Sequence, residues 1–336
     1  MQTMSGVKIV VALLLFFFGA GACHKNKNPT TVSSGYSTPE EDCQDYVFDG
    51  GEVFDQYFTT GVQYTMPFFN PNNGDEFVYV KRKSPMELVK HTISTGEEVV
   101  LCNTKFIDGP PQWGKQGWII FSVLGNTIWK IREDGSQLTQ LSANGLNYHS
   151  PIFNSEGNLY IQMGTSFPPY IGIFDLDGVL VDSILFQIDG KSIGSLCPNQ
   201  SDFKNAYYRY ADNTQDYSFG YCKLNNNSSL DILNEFSLLD GEATTSCKND
   251  KYIYYVQHQN GLFRLDLATR KVEKMMNNCR SRYITSMSVS PDGNSILFER
   301  VRGKQTEPGG QNIDEQSEIF LYNVVLRKEK KILCEE

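Results

Sequence analysis

Two kinds of turn recur every 40–45 residues or so, apolar β-rich runs flank them, and no stretch carries a long amphipathic-helix pattern. Together these predict an all-β chain, a six-bladed β-propeller of four-stranded antiparallel blades. The first turn is clearest in Ser290-Pro291-Asp292-Gly293-Asn294, which runs into Ser295-Ile296-Leu297-Phe298. Asn70-Pro71-Asn72-Asn73-Gly74, Gly114-Lys115-Gln116-Gly117 and Asn154-Ser155-Glu156-Gly157 repeat it, each ahead of an apolar strand. The second turn ends at Gly96, Gly135 and Gly178, which are 39 and 43 residues apart. Asn226 and Thr269 continue the series at intervals of 48 and 43 residues.

Residues 1–22 read as an export signal. Lys8 is followed by the apolar run Ile9 to Phe18 and by Gly19-Ala20-Gly21-Ala22. The run is short for a transmembrane helix. Cys23 directly after the small residues resembles the bacterial lipobox, whose cysteine is lipidated, although Ala20 stands where leucine is usual. His24 and Lys25 follow, with no aspartate to signal inner-membrane retention. The expectation is a lipid-anchored protein of the bacterial cell envelope at the outer membrane. Residues 23–45 are rich in Lys, Asn, Thr, Ser, Pro and Glu and read as a flexible tether.

The propeller is expected over 46–336. The aromatic stretch 46–63 would cover the bottom or rim of the ring. Six units follow, at about 64–109, 110–149, 150–194, 195–243, 244–283 and 284–336. The second is the clearest, with Trp118-Ile119-Ile120-Phe121, Ile128-Trp129-Lys130-Ile131 and the turn Asp134-Gly135-Ser136. The fourth has lost its glycines. The sixth carries a polar insertion, Arg302 to Ser317, read as an extended loop. Each unit buries a sheet face only against its neighbours, so the units must stack. Tyrosine outnumbers tryptophan by 18 to 3, which suits strands with one wet face.

Composition narrows the function. A net charge of −9 excludes an electrostatic nucleic-acid binder. Of eight cysteines, Cys23 is assigned to the lipid, and no Cys-x-x-Cys pair suggests structural zinc. Cys247 and Cys279 fall in one unit and can pair; free buried thiols are the alternative. His24, His91, His149 and His258 lack metal-ligand spacing, so no metal and no cofactor is expected.

Ser290 to Phe298 and Ile128-Trp129-Lys130-Ile131-Arg132-Glu133-Asp134-Gly135-Ser136 resemble repeats of TolB-like propellers. The resemblance spans roughly 64–336 and is strongest in units one, two, three and six. It implies six blades and, for most members, protein binding in the periplasm or a non-catalytic role beside a hydrolase. TolB itself carries an additional N-terminal α/β domain, for which the residues before 64 leave no room.

Two stretches resemble enzyme motifs. Asp175-Leu176-Asp177-Gly178-Val179 is similar to the first motif of haloacid-dehalogenase-like phosphohydrolases, where Asp175 would be the nucleophile and Asp177 the acid. No helical pattern follows it, and a strand–turn–strand reading fits better. Gly190-Lys191-Ser192-Ile193-Gly194 has nucleophile-elbow spacing, but Ser195 to Gln200 reads as a loop rather than the required helix.

The expected activity is therefore non-catalytic binding of an envelope protein or peptide. The binding face would be the end of the ring that bears the loops between units and between second and third strands. Tyr148, His149, Phe167, Tyr170, Tyr217, His258 and Arg302 are the candidate contacts; packing between loops would account for the same aromatics. The rival expectation is a lyase or hydrolase acting on a carbohydrate in the central funnel.

Overall fold

Phe77, Val78, Tyr79 and Val80 are all fully buried, although successive strand residues point to opposite faces. Both faces of this strand are therefore covered, as expected where a sheet is packed between two others. The computed structural model describes Tyr36, Pro39 and residues 62–104, 106–123, 127–141, 148–163, 170–185, 192–198, 205–211, 217–224, 230–236, 246–248, 251–257, 261–277, 282–305 and 313–334. The stretch read as an export signal, Cys23, nearly all of the stretch read as a tether and most of 46–63 lie outside this set. Among the described residues no helix is long and apolar enough to cross a membrane.

The strands form four-stranded antiparallel sheets in chain order. The first holds β1 (Gln63–Asn70), β2 (Asn73–Arg82), β3 (Met86–Thr92) and β4 (Glu97–Thr104). The second holds β5 (Gln112–Trp113), β6 (Trp118–Val123), β7 (Thr127–Arg132) and β8 (Thr139–Gln140). The third holds β9 (Tyr148–Phe153), β10 (Leu159–Met163), β11 (Tyr170–Phe174) and β12 (Leu180–Leu185). The fourth holds β13 (Ser192–Pro198), β14 (Asn205–Ala211), β15 (Tyr217–Leu224) and β16 (Leu230–Phe236). The fifth holds β17 (Ser246–Lys248), β18 (Tyr252–Gln257), β19 (Gly261–Asp266) and β20 (Val272–Asn277). The sixth holds β21 (Arg282–Val289), β22 (Ser295–Gln305), β23 (Ile313–Asn323) and β24 (Lys328–Leu333). Contacts between sheets run through their first strands: β1 meets β5 and β21–β23, β9 meets β5–β7 and β13, and β17 meets β21. The fold is an all-β propeller of four-stranded antiparallel blades with the first strands innermost.

The expectation of six blades is corrected to five. Five sheets have strands of three residues or more throughout; in the second, β5 and β8 have two residues each. Five full blades thus stand beside a reduced one, in the unit whose sequence looked most regular. Pro110 and Pro111 offer no N–H, so pairing of the inner strand is limited to an isolated Ile107–Val123 bridge before it resumes at Gln112. On the outer side Gln137 turns with φ of 56°, and the short β8 is exposed.

Turn chemistry places the remaining strands. Gly117, Gly157 and Gly293 hold positive φ in the turns between first and second strands. In the Ser290 turn, Gly293 N–H donates to Ser290 O at 2.8 Å and Asn294 N–H to Asp292 Oδ1 at 3.0 Å. Arg270 and Arg327 take φ of 57° and 52° in the fifth and sixth sheets, where earlier units have glycine.

Two loop assignments are also corrected. Ser195 to Pro198 belongs to β13, paired with β14, so this part of the elbow-like stretch is strand. Arg302 to Ser317 is largely a hairpin extension, because the β22–β23 ladder continues out to Gln305↔Ile313.

Apolar clusters fill the junctions. Phe68, Val80, Trp113 and Phe121 join the first and second sheets; Ile120, Phe153 and Ile161 join the second and third. Tyr254, Met276, Phe298 and Tyr322 join the fifth and sixth. Phe69, Phe77, Tyr79 and Val89 of the first sheet pack on Leu297, Ile319 and Leu321 of the sixth. Each such side chain contributes about 1.5–3 kcal/mol by burial.

Candidate binding face

Antiparallel alternation decides which residues share an end of a blade. The start of a first strand, the end of a second and the start of a third lie together. Tyr148 and His149 open β9, Tyr170 opens β11, Tyr217 opens β15, and Arg302 lies near the end of β22. These five positions occupy the same end of their sheets. Register brings two of them close: Met163 pairs with Tyr148 on one side and Tyr170 on the other. His149 is opposite Gln162, Tyr217 is opposite Ala211, and Arg302 stands between Arg282 and Gln316. The side chains at these five positions, and Phe167, His258 and Cys23 entirely, lie outside the described residues. So do Cys279 and the side chain of Cys247, the two halves of the suggested disulfide.

A buried carboxylate lies midway along the strands where the first and sixth sheets meet. Glu299 Oε2 accepts the Met66 N–H at 3.0 Å, and Oε1 accepts the Ser317 hydroxyl at 2.8 Å. Met66 sits at a β-bulge with φ of 56°, so Glu299 satisfies an N–H that the ladder leaves over. Burial raises the Glu299 carboxyl above its usual range, only partly opposed by these hydrogen bonds and by the Arg82 charge. A raised native value means that the folded state holds its proton more tightly than the unfolded chain. Stability from this group is therefore present below the ordinary carboxylate value and is lost as pH rises through the native one. Glu299→Gln is expected to remove that slope. In urea titrations between pH 5 and 8, the variant should gain on the parent as pH rises; a constant difference would refute the assignment.

A second cluster crosses the first sheet. The Tyr79 hydroxyl donates to Glu98 Oε1 at 2.7 Å, Lys81 Nζ lies 3.6 Å from Oε2, and His91 Nδ1 lies 3.7 Å from Oε1. Burial alone would raise Glu98; His91, Tyr79 and Lys81 outweigh it and hold its carboxyl at about 2. Glu98 is thus a fixed anion. Burial first, and the Glu98 charge second, push Tyr79 well above its ordinary value. His91 is visible in the sequence without its partners, which come from other strands. Burial pushes the Cys102 thiol up to about 11, so it is no thiolate nucleophile at neutral pH.

The enzyme-like motifs resolve as turns and strands. Asp175 Oδ1 accepts the N–H groups of Asp177 and Val179, both at 2.9 Å, and thereby builds the β11–β12 turn. Ser192 opens β13, with a strand where an elbow requires a helix. Among the described residues no group of three or more His, Cys, Asp or Glu side chains converges as a metal site.

No protein-family model matches the chain, and no curated relative matches it. Solved structures do. A putative TolB from Agrobacterium tumefaciens is 12% identical, with 81% of this chain and 89% of that one covered at a TM-score of 0.56. An oligogalacturonate lyase from Vibrio parahaemolyticus is 13% identical over 72% and 75%, at 0.52. A puromycin-hydrolyzing peptidase from Mycobacterium tuberculosis is 10% identical over 82% of this chain and 53% of its own, at 0.52. At such identities the likeness establishes the fold, and the chain is a propeller of the kind that both TolB-like proteins and enzymes contain.

Proposed function

We propose that this chain is a lipoprotein of the bacterial envelope, anchored through Cys23, whose sheets form a TolB-like propeller. Its ring binds a protein or peptide partner without catalysis, at the end defined by Tyr148, His149, Tyr170, Tyr217 and Arg302, with Phe167 and His258 in adjoining loops. The observation that carries this reading is the register, which sets aromatic and cationic positions from the third, fourth and sixth sheets at one end. Aromatic and arginine side chains are the usual anchors of such surfaces. The partner is an envelope component, and no cofactor takes part. Lipid at Cys23 makes the outer membrane the site of action.

The test is crosslinking in cells followed by capture of the tagged full chain. One abundant envelope protein should be captured, and Tyr170→Glu with Tyr217→Glu should reduce its recovery at least about tenfold. Unchanged recovery from a normally melting variant would overturn the assignment of the face. Cys23→Ser should move the protein from the membrane to the soluble fraction.

A second reading is a carbohydrate lyase working in the central funnel. It is favoured by the match to the lyase, which spans three-quarters of that chain. Release of unsaturated products from oligogalacturonides would select it.

A further inference from the structure

The reduced second sheet contains two buried acceptor oxygens that no donor among the described residues reaches. Asp108 Oδ1 and Gln112 Oε1 are both inaccessible and unpartnered, and Gln112 as a whole is only 9% exposed. Buried acceptors are normally matched, so a pair without donors calls for an explanation. The register puts both on one face. Ile107 bridges Val123, which sets Asp108 opposite Ser122, and Gln112 pairs with Ile120. Ser122 and Ile120 are two apart along β6, so their side chains share a face and their backbones stand about 7 Å apart. Asp108 and Gln112 therefore approach the same space from its two ends, beside β9 of the third sheet.

The intervening backbone is poor in donors. Asp108 N–H is already given to Ser122 O at 3.3 Å. Pro110 and Pro111 have no N–H at all, so this part of the loop presents carbonyls. A Cβ on Gly109 would lie 3.1 Å from Ser122 Oγ, which brings the loop backbone close to that hydroxyl. The stretch Asp-Gly-Pro-Pro-Gln and the facing Ser122 thus gather a carboxylate, an amide oxygen, a hydroxyl and peptide carbonyls, and neither proline between them adds an N–H. Such a set of oxygens suits a hard cation.

We propose that Asp108 and Gln112 bind a divalent cation of the calcium class at the inner strand of the second sheet. The ion would tie the broken inner strand to β6 and compensate for the ladder bonds that the prolines remove. This site is separate from the partner-binding face residues and does not depend on that reading.

The test uses the full chain, stripped with chelator and titrated with calcium in a calorimeter. Terbium serves as a luminescent probe, with Trp113, next in sequence to Gln112, as a sensitiser. Calcium should bind with a Kd on the order of 0.1–1 mM, as in extracellular modules, and should raise the melting temperature. Asp108→Asn and Gln112→Leu should each weaken binding about tenfold or more. Gln112→Leu should also melt no lower than the parent in chelator, because it removes an orphaned acceptor. Absence of calcium heat up to about 10 mM, or parental affinity in both variants, would overturn the site and leave buried water as the partner of these oxygens.

Discussion

Glu329→Ala is expected to lower the free energy of unfolding by about 3–5 kcal/mol, read from urea denaturation. Its carboxylate accepts two hydrogen bonds from Arg300, from Nη1 and Nη2, each at 2.8 Å. Both residues are buried, with exposures of 3% for Glu329 and 5% for Arg300. The guanidinium also lies 4.4 Å from the Phe320 ring centre and 5.0 Å from that of Phe298. Removing the carboxylate leaves an uncompensated cation in an apolar junction. Replacing both partners, as Arg300→Met with Glu329→Leu, should recover most of the loss, because neither charge then needs solvation. A single-variant cost below about 1 kcal/mol would mean that the pair behaves as a surface bridge.

Gly178→Ala should cost nearly as much, by a different route. Gly178 has φ of 79°, and an added Cβ would fall 2.2 Å from the backbone oxygen of Leu141 in the preceding unit. The left-handed conformation alone costs about 1–2 kcal/mol. The overlap with a carbonyl forces the β11–β12 turn away from the residue that follows β8 and should bring the total to about 3 kcal/mol or more. Gly96 provides the control. Its φ is 69°, and a Cβ added there would meet nothing within 4 Å, so Gly96→Ala should cost only the conformational part. Equal losses in the two variants would show that the contact between Gly178 and Leu141 carries no weight.

Local chemistry explains what could be read from the chain. The described turns singled out by Pro, Asn, Asp and Gly lie between the expected strands, because the need for positive φ or a side-chain cap is settled within five residues. Asp175 illustrates the gain: its turn hydrogen bonds dispose of a phosphohydrolase reading that the letters alone suggested. Strand length was less legible. Thr139 and Gln140 are exposed, so no apolar pattern marks where β8 stops. Gly303 and the polar residues around it read as loop, yet pair across a long hairpin, because a ladder needs backbone groups rather than apolar side chains. The pairing of Arg300 with Glu329 and the grouping of Tyr79, His91 and Glu98 arise from strands that meet only in the folded sheets. Charge counts cannot foresee them. Strand order alone places Tyr148, His149, Tyr170, Tyr217 and Arg302 at one end of their sheets, whereas the buried acceptors at Asp108 and Gln112 depend on register and were missed.

The junction between the first and sixth sheets bears on how the chain is made. Among the described residues no strand is shared across it; apolar side chains and hydrogen bonds such as Met66 to Glu299 and Phe69 to Ser288 join its faces. Met66 precedes Glu299 by 233 residues. At a synthesis rate of about 5–20 residues per second, the first blade waits roughly 12–47 seconds for its partner. During that interval Phe69, Phe77 and Tyr79 have no cover from the last blade. The nascent first blade is therefore a client for whatever keeps unfinished chains apart, and completion of the last blade is the event that releases it.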